Sequence, residues 1–218
     1  EANVHFFKGR IFSELGRFEE AKNSYNKVLN ISSSYRGVWN NLGNNAFRQQ
    51  HFKEAISYYY KELINNNKLE SQDLAQANLF LSQAYINTKS QDSAIACLKT
   101  ARGLINQKPI KARYNYILGQ LYDYANYKDS ANTLYNENIG YKRKIPREYT
   151  IHSHIRRTTN SDSINNSIIE IKELVDNIEN TVFLGSLFHQ LALLSLRQGK
   201  DSIAVKFFNN SLESIVSD

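Results

Sequence analysis

The sequence predicts an all-α solenoid of stacked helix pairs following a right-handed superhelical path. Three observations predict it: a 34-residue spacing shared by small and aromatic residues, apolar positions at helical intervals, and only two prolines in 218 residues. Gly9, Phe18, Ala21 and Tyr25 are each followed 34 positions later by their own kind, at Gly43, Phe52, Ala55 and Tyr59.

This is the tetratricopeptide (TPR) period, in which two antiparallel helices form one repeat. Small residues let the paired backbones approach, and aromatic rings fill the groove made with the next pair. Leu81, Tyr85, Ala94, Leu98 and Ala101 make a third copy, and Leu118, Gly119, Tyr122, Ala131 and Tyr135 a fourth. Ile151, Ile155, Ser167, Ile171 and Leu174 take the core positions of a degenerate fifth unit. Phe188, Leu191, Ala192, Gly199, Ala204 and Phe208 complete a sixth. Repeats then begin near residues 2, 36, 75, 112, 148 and 185, in a single array over residues 1–218. The surplus residues fall in inter-repeat loops, at Asn65–Asn66–Asn67–Lys68 and Asn106–Gln107–Lys108–Pro109. Asp92, Asp129 and Asp201 stand in the first turns of second helices, where a carboxylate complements the helix dipole.

The composition, 41% hydrophobic with 22% charged residues, fits a folded domain rather than a disordered chain. No apolar run approaches the length that crosses a bilayer. Methionine is absent even from position 1, and the first repeat starts without a polar capping helix. The chain is therefore expected to be a piece of a longer protein, with any signal peptide or anchor outside it.

A lone Cys97 excludes an internal disulfide and a thiolate zinc site, and reads as a small buried hydrophobe. His152 and His154 are two apart, a poor spacing for joint metal ligation on a helix, and His5, His51 and His189 are isolated. The sequence holds no phosphate-binding glycine loop, metalloprotease helix motif or nucleophile elbow. Neither catalysis, a cofactor nor a metal is expected.

Interaction surfaces are the expected currency. In such arrays the first helices line the concave face, which in this register carries Asn3, Phe6 and Arg10, then Asn40 and Asn44, then Leu79 and Gln83. The face continues with Arg113, Tyr116 and Gln120, and ends at His189 and Leu193. Its amides suit hydrogen bonding to an extended peptide. Phe6, Gln76 and Phe80 stand where a carboxylate-clamping repeat carries basic residues, so that mode is not expected, although Asn41 fits one of its positions.

The net charge of +6 is unevenly spread. Residues 99–157 hold twelve Lys and Arg against four Asp and Glu. The sharpest concentration is Lys142, Arg143, Lys144 and Arg147, followed by Arg156 and Arg157, read as one docking surface for an acidic protein or anionic head groups. Nucleic acid is not an expected partner, because one patch is too small a footprint.

Residues 75–163 resemble the TPR lipoproteins of type IX protein secretion and gliding motility (PorW/SprE-like). The resemblance is carried by Ala75-Gln76-Ala77 through Gln83-Ala84-Tyr85, by Ala112-Arg113 with Tyr116-Ile117-Leu118-Gly119-Gln120-Leu121-Tyr122, and by Lys128-Asp129-Ser130-Ala131. Lys142-Arg143-Lys144, Ile151-His152 and Asn160-Ser161-Asp162-Ser163 extend it. It implies a non-catalytic outer-membrane lipoprotein facing the periplasm, joining the secretion system's periplasmic ring to its outer-membrane translocon. The alternative is the TPR sensor segment of a bacterial regulator or histidine kinase, which implies a cytoplasmic location.

Overall fold

The computed structural model describes residues 1–65 and 69–216. Asn66, Asn67 and Lys68, most of one loop expected from the sequence, lie outside the described residues. The chain divides into two compact units, residues 1–106 and 107–218. The first contains α1 (Ala2–Glu14), α2 (Phe18–Ile31), α3 (Val38–Arg48), α4 (Phe52–Asn65), α5 (Ser71–Asn87) and α6 (Gln91–Gly103). The second contains α7 (Lys108–Tyr124), α8 (Lys128–Tyr141), α9 (Arg147–Asn160), α10 (Ile164–Val175), α11 (Leu184–Arg197) and α12 (Asp201–Val216). Short 3₁₀ turns at Lys142–Lys144 and Ile178–Phe183 precede α9 and α11. No strand occurs among the described residues, and no helix of theirs is long and apolar enough to cross a membrane. The tetratricopeptide architecture is thus realised as six helix pairs, three in each unit.

The repeated residues do the packing expected of them. Tyr25, Tyr59 and Tyr135 are fully or almost fully buried, each sixteen positions after a glycine of the partner helix. A methyl group added at Gly9 or Gly119 would sit 2.5 Å from the facing ring carbon, and one at Gly43 closer still. The glycines are therefore the floor on which the rings lie. In the first unit, Ala21, Tyr25, Val28, Val38 and Leu42 form one buried cluster, and Ala46, Ala55, Tyr59, Leu81 and Ala84 another. In the second, Ile151, Ile171, Leu187, Leu191 and Leu194 form the cluster that carries the degenerate repeat. Cys97 packs against the second of these clusters, and burial pushes its thiol pKa up.

Five of the six turns within pairs share one device. Gly16, Gln50, Lys89, Asn126 and Gly199 take positive φ, between 57° and 73°. At each, the residue's own amide and the one after it return to the ending helix, as when Gly16 donates to Ser13 and Arg17 to Phe12. The same pair of bonds recurs at Lys89 and Ser90 with Ile86 and Tyr85. This left-handed cap satisfies carbonyls that the helix end would leave unpaired. The α9–α10 turn lacks it, consistent with the weak repeat character there.

Two buried polar devices fix register. Glu62, only 1% exposed, accepts from the backbone amides of Gly37 (2.9 Å) and Asn40 (3.3 Å), so α4 caps the start of α3. In the second unit, the fully buried Asn138 of α8 reaches two helices. Its amide nitrogen donates to the Ala112 carbonyl (3.0 Å) and Ser153 Oγ (3.3 Å), and its oxygen accepts from Asn115 (3.0 Å).

Candidate functional site

The first helices of each unit carry a surface of rings and amides. In the first unit, Tyr35 donates to Asn3 Oδ1 (2.6 Å), and the Phe6 ring packs against Tyr25 and Tyr35. Tyr25 donates to Asn41 (3.4 Å) and Tyr59 to Asn44 (2.9 Å), while Phe80 stacks on Tyr59 at 5.3 Å. Burial pushes the Tyr25 hydroxyl up to about 12, which keeps it a neutral donor at any physiological pH. Arg10 is exposed and Gln83 half-buried. Two expected residues stand differently: Leu79 is 5% exposed and belongs to the core, and the Asn40 amide oxygen is enclosed without a hydrogen-bond partner.

The second unit builds a denser strip. Tyr116 of α7 lies 6.2 Å from Tyr135, 6.2 Å from Tyr149 and 6.0 Å from His152, ring centre to ring centre. His152 in turn meets Phe183 edge-on at 6.1 Å. Arg156 is half-buried beside Tyr116, Tyr135 and Asp123. Asp123 accepts from the Tyr135 hydroxyl (2.6 Å) and from Asn160 (2.6 Å), which holds the strip's far end. Arg113 is exposed near Tyr149, and Gln120 is half-buried. Burial holds the His152 pKa below the ordinary imidazole range, opposed by Glu148 and reinforced by Arg156. Three contributors, Tyr149, His152 and Phe183, were not among the residues expected from the sequence. For the first two the signal is the spacing Tyr149–His152–Arg156, which places them with Arg156 on one face of α9; Phe183, in the turn before α11, has no such signal.

The basic residues do not form one surface. Arg156 belongs to the aromatic strip just described. Arg157 donates to Asn136 (2.9 Å) and pairs with Glu170 (2.5 Å). Burial raises the Glu170 carboxyl, but hydrogen bonds from His154 and Arg157 outweigh it and hold the pKa below the usual range. Only Lys142, Arg143, Lys144 and Arg147 gather, at the rim of a cleft of about 630 Å³. Its walls are the end of α8, the first turns of α9 and the end of α10, including Ile139, Thr150, Ile151 and Leu174. Arg143 pairs with Glu179 (2.6 Å), and Arg147 is anchored to the same carboxylate (3.5 Å) and to Asn180 (2.8 Å).

Among the described residues, no group of three or more His, Cys, Asp or Glu gathers as metal ligands would. The geometry offers rings, amides and guanidinium groups on helix faces, which suits recognition of another chain.

Comparisons with known proteins agree with the fold. A tetratricopeptide-repeat family model matches residues 2–35 and 75–105. No curated protein matches the chain. Among solved structures, a tetratricopeptide repeat protein from Parabacteroides merdae is similar at a TM-score of 0.75 and 15% identity, over 98% of this chain and 79% of that one. YrrB, described as a TPR protein with an unusual peptide-binding site, is similar at 0.62 and 11% identity, over 87% and 91%. MamA is similar at 0.56 and 20% identity, over 96% and 95%. These likenesses show the fold alone: the chain is built of tetratricopeptide repeats.

Proposed function

We propose that the chain is a non-catalytic adaptor that holds protein segments on the first-helix faces of its repeats. The observation that carries this is the strip Tyr116, Tyr149, His152, Arg156 and Phe183, where rings and a guanidinium share one half-buried surface. Aromatic and arginine side chains are the residues that most often anchor protein contacts, because they bury large area at low conformational cost. The first unit's Asn3 and Asn44, oriented by Tyr35 and Tyr59, supply amides suited to an extended backbone. YrrB's peptide-binding site supports the same use of a related scaffold.

Within this reading, we place the adaptor in type IX secretion and gliding motility, on the periplasmic face of the outer membrane and anchored there as a lipoprotein. That assignment rests on the resemblance over residues 75–163. Its partners would be periplasmic-ring and translocon components, held at fixed spacing so that each raises the other's effective concentration. The test is deletion of the full gene in a gliding, type IX-secreting bacterium, followed by complementation with Tyr116→Ala/Arg156→Ala. Lost cargo secretion in the deletion strain, restored by the native gene and not by the variant, is the expected result. Normal secretion and motility after deletion would remove the pathway assignment and favour a signalling role.

A further inference from the structure

The cleft between α8, α9 and α10 is separate from the first-helix strip, because α9 presents Arg147, Thr150, Ile151 and His154 to one and Tyr149, His152 and Arg156 to the other. Three features of the cleft are unexplained by folding. First, four cations stand at its rim, at Lys142, Arg143, Lys144 and Arg147, against the single carboxylate of Glu179. Glu179 engages both arginines, while Lys142 and Lys144 form no ion pair among the described residues. Second, Thr150 is 8% exposed and its hydroxyl has no hydrogen-bond partner, although buried hydroxyls are normally satisfied. Third, Lys142 takes φ 52° and ψ −129°, a conformation that glycine adopts freely and lysine resists. A lysine stands where the backbone alone would favour glycine, and a strained residue of this kind points to a use for its side chain.

Between the rim and the unpaired hydroxyl, Ile139 and Leu174 give the cleft an apolar wall, flanked by His154 and Asn177. A volume of about 630 Å³ lies within the range of sites that enclose a compact ligand. Charge at the rim with an apolar interior matches one chemistry: a side chain to bury, flanked by carboxylates to meet the free lysines.

We propose that this cleft binds an acidic segment of a partner protein, seating one or two of its apolar side chains between α9 and α10 while Lys142 and Lys144 hold the flanking carboxylates. The inference rests on the reading of the chain as a protein-binding scaffold and names a second site on it. Arg143 and Arg147 stay with Glu179 and orient the rim, so the lysines carry the recognition. The docking is steered by charge and weakens as salt rises.

The test titrates the whole chain against a fluorescent octapeptide with Leu-Phe set between runs of Asp and Glu, read by anisotropy at low and high salt. Saturable binding is expected, weakened about tenfold or more by Lys142→Glu/Lys144→Glu, as removal of rim charge should do. A peptide with Ser-Ser in place of Leu-Phe should lose a comparable factor. Lys142→Ala/Lys144→Ala, which breaks no ion pair, gives the same direction if the charge reversal compromises folding. Lys206→Glu, an exposed charge reversal on α12 outside both surfaces, should leave the affinity unchanged. Absence of peptide binding, or indifference to both lysine variants, overturns the proposal. So does equally tight, equally lysine-dependent binding of the Ser-Ser peptide, inorganic phosphate or phosphatidylglycerol vesicles, which would make the rim a general anion surface. None of these results touches the adaptor reading, which rests on the first-helix strip and is tested by the Tyr116→Ala/Arg156→Ala variant.

Discussion

Gly43 of α3 lies directly beneath the ring of Tyr59 of α4, and the same relationship joins Gly9 to Tyr25 and Gly119 to Tyr135. Each tyrosine is buried, so the ring cannot swing into solvent to make room for a larger neighbour. Gly43→Ala is expected to destabilise the protein by roughly 1–3 kcal/mol through overpacking, despite alanine's better helix propensity. Urea denaturation should show a lower midpoint; an unchanged one would mean the pair separates easily.

The turn positions predict the opposite sign. Lys89 holds a left-handed conformation at φ 57° that costs a side-chain-bearing residue about 1–2 kcal/mol. Lys89→Gly removes that cost while loosening the unfolded chain, for a net gain of about 0.5–1 kcal/mol. Gly16→Ala, at φ 73° in the equivalent turn, should lose stability instead. Melting temperatures of the two variants should move apart.

Glu62 closes the start of α3 from beneath. With the carboxylate gone, the amides of Gly37 and Asn40 lose the acceptor that α4 supplies. Glu62→Ala should therefore cost about 1–3 kcal/mol, the range for leaving buried donors unpaired. Hydrogen exchange at residues 37–40 should accelerate more than at α5; uniform acceleration would mean that the carboxylate acts on the unit as a whole.

His152 gives stability a pH dependence. Its pKa is lowered in the folded protein, first by burial, so the unfolded chain accepts a proton that the fold refuses. The penalty is absent above the ordinary imidazole value of about 6.5, grows as pH falls through it, and is complete below the folded value. His152→Phe should flatten this part of the curve of melting temperature against pH between neutrality and mild acid. A curve parallel to that of the native protein would show that the imidazole is protonated as easily folded as unfolded.

Lys142 sets stability against recognition. Relaxing its backbone with Lys142→Gly should stabilise the protein by about 0.5–2 kcal/mol, the strain relieved less the looser unfolded chain, while weakening the acidic peptide. Thermal denaturation and peptide titration of the same variant measure both effects. A variant gaining stability with no loss of affinity would release Lys142 from the role assigned to it.

The repeat was legible because packing writes it into residue type: only glycine fits beneath Tyr59, and only a small residue fits at the fully buried Ala55 and Ala131. The functional surfaces were less legible. Leu79 lies on α5, a helix of 17 residues whose buried positions run almost around its circumference, so a first-helix position there is not an exposed one. The basic residues read as a single patch because they are close in sequence. The helical turn of α9 then carries Arg156 to the face opposite Arg147, and Arg157 to Glu170. Tyr116 and His152 meet across two helices, a neighbourhood that no local spacing reports.

Asn138 gives this arrangement a mechanical meaning. Its single amide ties α8 to the Ala112 carbonyl and Asn115 of α7 and to Ser153 of α9. A helix that slides along its neighbour moves in steps of one turn, about 5.4 Å, and any such step of α9 would break its tie to α8. The amide works as a detent. Because α9 is the common wall of the aromatic strip and the basic cleft, the detent fixes one surface in register with the other, as a gauge block would.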